Sequence, residues 1–241
     1  MTASAESVED IPLFPPRGTR TLCDRFFRLP GVYRPQADSH LLAGAIREAR
    51  IPEGASVLDL CCGTGAQAVT AAREGAGSVT AIDVSTRALV SAWVNGTSRR
   101  LPVRVRRGDM LTAAGQGPFD VVVANPPYVP SAASPRRASR GWDAGEDGRA
   151  VLDPLCVTAP ALLRSGGFML LVHSAVSGVD RSLDRFRAAG LKASVVARAR
   201  VPFGPVLLER VDFLEARGLI EPGERTEELV VIRADRTEKR C

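Results

Sequence analysis

At 241 residues and 45% hydrophobic content, the chain can bury the core of one domain with an extension, which excludes disorder for the bulk of it. Its 32 Lys+Arg against 27 Asp+Glu give a net charge of +5, but the basic residues are spread along the chain and lysine occurs only at Lys192 and Lys239. There is thus no dedicated polybasic arm, and nucleic acid is left open as a partner without being indicated.

No apolar run reaches the ~18 residues of a membrane span. The N-terminus, with Glu6, Glu9 and Asp10, lacks the basic and apolar regions of a signal peptide. The expected location is the cytoplasm, with no membrane partner. The five cysteines, Cys23, Cys61, Cys62, Cys156 and Cys241, show no CxxC spacing. They read as reduced thiols, and no metal is assigned.

In chain order, residues 1–50 read as a leader and lid segment and residues 51–236 as the main domain. The leader carries Pro12, Pro15, Pro16 and Gly18 among small and acidic residues, and Thr21 to Leu29 has room for a short amphipathic stretch. Asp38 or Ser39 is placed to cap a helix bearing Leu41, Leu42, Ala45 and Ile46 at helical spacing. Pro52-Glu53-Gly54 precedes a strand, Ser56 to Leu60, and the glycine turn Cys61-Cys62-Gly63-Thr64-Gly65 leads into a small-residue helix, Ala66 to Arg73. A second strand, Ser78 to Ile82, ends at Asp83. Ser85 caps a helix with Ala88, Leu89, Ala92 and Trp93 on one face and Asn95-Gly96 as its stop. A third strand, Val103 to Arg106, ends at Gly108-Asp109, and a fourth, Phe119 to Ala124, runs into Asn125-Pro126-Pro127-Tyr128.

Residues 131–150 form a long loop with Arg136, Arg137 and Arg140 followed by the acidic stretch Asp143 to Asp147. A helical stripe from Leu152 to Leu163 tolerates Pro154 in its first turn, should kink at Pro160, and ends at Gly166-Gly167 before a strand, Phe168 to His173. A short helix with Leu183 and Phe186, a strand from Ala193 to Ala199, a helix with Leu207, Leu208, Val211 and Leu214 closed by Gly218, and a strand from Glu228 to Arg233 complete the pattern. Seven strands alternating with helices predict an α/β fold with a doubly wound, mostly parallel sheet.

The turn Gly63-Thr64-Gly65-Ala66-Gln67-Ala68 satisfies G-x-G-x-x-A, a fingerprint shared by nicotinamide dinucleotides and S-adenosylmethionine. Three acids bear on the choice. Asp59, at the end of the first strand, suits a ligand ammonium, which S-adenosylmethionine has and NAD lacks. Asp83, eighteen positions after Gly65, suits ribose hydroxyls, and Asp109 suits the exocyclic amine of adenine. Each of the three also suits a helix cap or turn. Val84 and Met110, beside the last two acids, are assigned to the same ligand.

At the Asn-Pro-Pro-Tyr stretch, Asn125 and the carbonyl of Pro126 each offer an acceptor to one hydrogen of a planar –NH2 group, leaving the nitrogen lone pair pointed at a methyl donor. Two prolines, Pro126 and Pro127, fix φ and remove competing donors, and Tyr128 is placed to stack on the planar group.

Residues 55–235 resemble the class I S-adenosylmethionine-dependent methyltransferases, whose acid-x-G-x-G-x-G motif appears as Asp59-Leu60-Cys61-Cys62-Gly63-Thr64-Gly65. Cys61 replaces the first glycine and is acceptable if its φ is negative. Asn-Pro-Pro-Tyr in this setting resembles the amino-group methyltransferases, which act on adenine N6, cytosine N4, guanine N2 or the glutamine amide.

Val32-Tyr33-Arg34-Pro35-Gln36-Ala37-Asp38-Ser39 and Trp142-Asp143-Ala144-Gly145-Glu146-Asp147-Gly148-Arg149 resemble the VYxPxxDT and WxGGxxGR segments of short-branch HemK/PrmC-type glutamine methyltransferases. The resemblance implies a Rossmann-like seven-stranded sheet with one antiparallel strand near its edge, and S-adenosylmethionine as cofactor. It also implies Tyr33, Asp38, Ser39 and Asn125 at the methionine end, a protein substrate of the release-factor kind methylated on Gly-Gly-Gln, and room for a small activator subunit. An amino methyltransferase acting on nucleic acid (adenine N6 or guanine N2) or on a small molecule stays open as the alternative.

Overall fold

The computed structural model describes residues 26–132 and 141–238. The leader, Cys23, Cys241, Lys239 and the three loop arginines 136, 137 and 140 lie outside the described residues. Seven strands, β1 (Ser56–Leu60), β2 (Ser78–Asp83), β3 (Val103–Arg107), β4 (Phe119–Ala124), β5 (Leu163–Ser174), β6 (Lys192–Pro202) and β7 (Thr226–Asp235), form one sheet in the order β3-β2-β1-β4-β5-β7-β6. Strands β1 to β5 run parallel, and β7 runs antiparallel to both β5 and β6.

Helices cover both faces, so the central strands are apolar at consecutive positions rather than at alternate ones. On one face α1 (Ala37–Glu48), α2 (Ala66–Arg73) and α3 (Thr86–Thr97) pack Leu42, Ala68 and Leu89 against Val57, Val121 and Val231. On the other, α4 (Met110–Ala114), α5 (Leu152–Leu162) and α6 (Val179–Ala188) pack Ala113, Leu155 and Phe186 against Leu58, Val122 and Ile232. Two further short helices, α7 (Pro205–Leu208) and α8 (Val211–Ala216), build a satellite cluster around Leu207 and Leu214. Among the described residues no helix is long and apolar enough to cross a membrane.

The chain turns from β1 toward β2 on one side and from β4 toward β5 on the other. The carboxyl ends of β1 and β4 therefore flank a topological switch point, where open α/β sheets bind ligands. The exposed edge strand β3 carries Arg104 and Arg106, and such charges discourage pairing with another chain.

Several local expectations need correction. Helix α3 does not stop at Asn95-Gly96. Buried Asn95 donates to the carbonyls of Phe27 and Thr64 from inside the helix, and Gly96 makes room for Val103. Trp93 is 55% exposed and lies off the buried face.

The helix α4 has no counterpart in the sequence reading. Gly166-Gly167 does not end a helix; the pair lies within β5, beside the register shift between Phe119 and Val121. Pro160 falls in the last turn of α5, and Leu208 is half exposed at the break between α7 and α8. Neither Asp38 nor Ser39 caps α1. Gln36 holds the cap position, and both residues turn inward from the first turn.

Candidate active site

A cavity of about 500 Å³ opens at the carboxyl ends of β1 to β4. Its floor is the glycine turn, where Gly63 has φ of 52° and Gly65 φ of 75°. A β-carbon built on Gly63 meets no protein atom within 4 Å, so its bare backbone faces open space. Asp83 braces this floor: one carboxylate oxygen accepts the Gly63 N–H at 3.0 Å and the other the Ser85 N–H at 2.9 Å, which ties the turn to the start of α3.

Of the residues expected around the cofactor, Tyr33, Asp38, Ser39, Cys61, Gly63, Asp83, Val84, Asp109, Met110 and Asn125 line this cavity, as do Pro126, Pro127 and Tyr128. Asp59 and Gly65 do not. Asp59 is 1% exposed behind the turn, where it accepts the Ala68 N–H at 2.9 Å and so anchors α2. Burial pushes its carboxyl pKa up to about 8, and its second oxygen has no partner among the described residues. Gly65 backs onto α3, where a β-carbon would lie 2.9 Å from that of Ala92. Glycine is needed there for packing and for positive φ rather than for ligand contact.

Cys61 also departs from expectation, because its φ is +60° rather than negative. The motif position keeps the left-handed conformation that suits glycine, and the thiol is carried through it. Burial pushes both the Cys61 and Cys62 thiols up, away from reactive thiolate character. Asp109 lines the cavity and also serves as a helix cap. It is exposed, accepts the Leu111 and Thr112 N–H groups at 3.0 Å, and caps α4, and these bonds hold its carboxyl below the usual range.

At the end of β4, the Asn125 side-chain nitrogen donates to Asp38 at 3.0 Å and to the Ser39 hydroxyl at 3.3 Å. The hydroxyls of Tyr33 and Tyr128 donate to the same Asp38 oxygen at 2.9 and 3.2 Å. Burial, followed by the Asp38 charge, raises both phenol pKa values, so both stay protonated donors. The Asn125 side-chain oxygen and the Pro126 carbonyl accept from no described residue.

Of the remaining groups that hold this arrangement, the Trp142–Arg149 stretch stood out in the sequence, whereas Gln67, Ser177 and Arg210 carried no distinct signal. Gln67, on α2, donates to the Ser39 carbonyl at 2.9 Å and ties the lid segment to the glycine turn. The chain after Tyr128 is clamped by Trp142–Gly145, since Val129 N–H donates to the Trp142 carbonyl and Ala144 N–H to that of Val129. Trp142 itself lines the cavity. Arg210 pairs with Asp143 and donates to the Pro130 carbonyl. The Ser177 hydroxyl donates to the Tyr128 carbonyl at 2.6 Å. Arg149, 3% exposed, bonds Asp153 and the carbonyls of Ser177 and Gly178, so the Trp142–Arg149 stretch acts as scaffold for Asn-Pro-Pro-Tyr.

A doubly wound sheet with a glycine turn after β1 and paired acceptors after β4 defines the class, an S-adenosylmethionine-dependent methyltransferase. The sequence profile of the methyltransferase small domain family matches residues 25–195, more than half of the chain. The chain belongs to that family and is of the HemK/PrmC type.

Among curated proteins it is 28% identical to a putative protein N5-glutamine methyltransferase of Methanocaldococcus jannaschii, over 74% of this chain and 90% of that one. It is 40% identical to the release factor glutamine methyltransferase of Deinococcus radiodurans, over 77% of this chain but 66% of that one. The chain thus spans nearly all of the archaeal relative and about two thirds of the bacterial one. Among solved structures it is similar to the E. cuniculi Mtq2–Trm112 complex, described as responsible for methylation of the eRF1 translation termination factor. The TM-score is 0.62 and the identity 24%, over 86% of this chain and 99% of that one.

Proposed function

We propose that this protein methylates the side-chain amide nitrogen of the glutamine in a Gly-Gly-Gln segment of a release-factor-type protein. The observation that carries the reading is that Asn125 and Pro126 both line the cavity whose floor is the glycine turn, while Asp38 takes the Asn125 side-chain nitrogen and so leaves the Asn125 oxygen and the Pro126 carbonyl as acceptors for a substrate. An amide –NH2 has two hydrogens, and two acceptors held at one place orient its nitrogen without a base. The Gly-Gly preceding the glutamine lets that backbone approach a cavity mouth rimmed by Trp142. The names of the relatives point the same way.

The residues present fit S-adenosylmethionine. The open backbone at Gly63 leaves space that a side chain would fill, and Asp83 keeps free lone pairs on both oxygens beside it. Asp83 would hold the ribose hydroxyls, Asp109 and Met110 the adenine end, and Tyr33 and Ser39 the methionine end. S-adenosylmethionine, when bound, supplies an electrophilic methyl group on a sulfonium. The chain's part is to aim the amide nitrogen and exclude water: Asn125 and Pro126 take its two hydrogens, and the lid segment and Trp142 cover the site. Because the nitrogen becomes acidic once methylated, its proton can leave to solvent afterwards, and no strong base is needed. The proposal includes a small activator subunit, in view of the protein solved with the E. cuniculi relative.

The test is incubation of the purified chain with release factor and labelled cofactor, followed by mass spectrometry of the Gly-Gly-Gln peptide. Methyl on the glutamine amide is expected, and Asn125→Ala should cut turnover by roughly 10²-fold with cofactor affinity nearly intact. No methyl on that peptide, with robust transfer to nucleic acid or a small amine, would replace the substrate. Full activity of the chain alone would remove the activator from the proposal.

A further inference from the structure

We propose that Asp38 is a positioning residue that sets which end of the Asn125 amide faces the acceptor nitrogen. The inference rests on the role proposed for Asn125. The two ends of an asparagine amide have nearly the same shape and opposite chemistry, since one donates two hydrogens and the other only accepts. With the –NH2 end toward the cavity, donors would meet the donors of the substrate amide and only the Pro126 carbonyl would be left to hold its nitrogen. A group that selects one orientation is therefore part of what makes Asn125 useful.

Asp38 meets that need. It is 3% exposed, and its oxygen lies 3.0 Å from the Asn125 side-chain nitrogen. The oxygen that faces Asn125 is the one that accepts from the Tyr33 and Tyr128 hydroxyls, so the reversed amide would bring oxygen against oxygen in a buried place. The Ser39 hydroxyl, 3.3 Å from the same nitrogen, adds a second acceptor on that side. Asp38 is itself immobilised. Its other oxygen accepts the Ser39 N–H at 2.5 Å and the Ser39 hydroxyl at 3.1 Å, and Tyr33 and Tyr128 donate to the oxygen that holds Asn125.

With five donors on two oxygens, Asp38 has little capacity left to take a proton from substrate or to bind a ligand ammonium. It belongs to the lid segment and bonds Asn125 and Tyr128 of Asn-Pro-Pro-Tyr, so an ordered lid and a correctly turned Asn125 are one condition. The arrangement gives Asp38 a different part from the cofactor contact that its motif implied.

The discriminating variant is Asp38→Asn, which keeps size and hydrogen bonding but can present –NH2 to Asn125 and so permits the reversed amide. Three readouts apply: kcat on the Gly-Gly-Gln peptide, S-adenosylhomocysteine affinity by calorimetry, and solvent exchange of the Asn125 side-chain amide protons by NMR. Asp38→Asn is expected to lower kcat tenfold or more, to keep S-adenosylhomocysteine affinity within about threefold, and to lose the exchange protection that the wild-type amide shows. In an Asn125→Ala background the same substitution should add nothing.

Unchanged kcat with unchanged protection overturns the proposal. So does a loss of S-adenosylhomocysteine affinity as large as the loss of kcat, which would make Asp38 a cofactor ligand. If the wild-type chain does not methylate the peptide at all, the substrate reading fails by itself, and the calorimetry and NMR still decide the role of Asp38.

Discussion

Gly148 lies so close to Tyr128 that a β-carbon at position 148 would sit 2.3 Å from the Tyr128 carbonyl oxygen and 2.5 Å from the Ser177 hydroxyl that caps it. The backbone of the loop after the motif is thereby pressed onto the backbone of the motif itself. Gly148 also has φ of +73°. Gly148→Ala should therefore destabilise the protein by at least about 2 kcal/mol, from the left-handed strain plus the displaced contact. That corresponds to a fall in Tm of roughly 4 to 8 °C for a chain of this size. Gly141→Ala, where a β-carbon meets nothing within 4 Å, is the control and should change Tm little. Thermal unfolding of both variants checks this, and equal Tm values would contradict it.

The two adjacent cysteines should respond with opposite signs. Cys61 has φ of +60°, a conformation that costs roughly 1 to 2 kcal/mol for a residue with a β-carbon. Cys61→Gly should relieve that strain, offset in part by the greater freedom of glycine in the unfolded chain, for a net change between about 0 and +1 kcal/mol. Cys62 is buried within the core on the α1–α3 face, and Cys62→Gly should lose about 1 kcal/mol or more. Denaturant melts of the pair give the answer. A destabilised Cys61→Gly variant would show that the thiol contributes packing that outweighs its strain.

Stability should fall between about pH 6.5 and pH 8. The Asp59 carboxyl is raised to about 8, and that of Glu227 to about 7, in both cases chiefly by burial. A carboxyl whose folded pKa lies above its unfolded value stabilises the fold while protonated, and that contribution is lost as pH rises toward the folded pKa. His173, lowered to about 4 by burial, works the other way, but its effect is complete once pH exceeds the ordinary histidine value near 6.5. Above that point the carboxyls dominate, with a slope of about 1 kcal/mol per pH unit. Asp59→Asn, which can still accept the Ala68 N–H, should flatten the fall. Tm measured from pH 6 to 8.5 tests it, and a wild-type protein that gains stability over that window would refute it.

Asp83 and Asp109 should separate on cofactor binding. Asp83 braces the turn and lines the cavity with lone pairs to spare, so Asp83→Ala should weaken S-adenosylhomocysteine binding by about 1.5 to 3 kcal/mol, or roughly ten- to 150-fold. Asp109 caps α4 through one carboxylate oxygen and offers the adenine end only an exposed contact, so Asp109→Ala should cost about 1 kcal/mol of stability and a smaller loss of affinity than Asp83→Ala. Calorimetry alongside thermal melts distinguishes the two. Equal affinity losses would mean that Asp109 holds the adenine as firmly as Asp83 holds the ribose.

What was legible in the sequence follows from how locally each feature is encoded. Strands β1, β2 and β4 announce themselves because burial on both faces puts apolar residues at adjacent positions, as in Val57-Leu58, Ala81-Ile82 and Val121-Val122-Val123, and the glycine turn after β1 and the prolines after β4 are backbone requirements. The sequence pointed Asp59 at the ligand, whereas the structure buries it under α2, because a carboxylate at a strand end can turn either into the cavity or under the following helix and the spacing is the same for both. The part played by Asp38 was invisible for another reason: its partners Asn125 and Tyr128 lie 87 and 90 positions away, and only the folded sheet brings them together. The helix α4, five residues long, is too short for periodicity to register. Trp93 shows the converse error, since helical spacing placed it on an apolar face that α3 in fact turns to solvent.

The placement of β7 bears on how the chain comes to fold. Because β7 lies between β5 and β6, a strand synthesised after both is the one that joins β6 to the sheet, and among the described residues β6 pairs with no other strand. During synthesis β6 emerges with nowhere to dock, and β5 presents an open edge until residues 226–235 have left the ribosome. The sheet is thus completed from the inside only once β7 has emerged, and a nascent chain stalled within β6 would hold one unpaired strand, β6, beside the open edge of β5, the species on which a chaperone or an aggregation event would act.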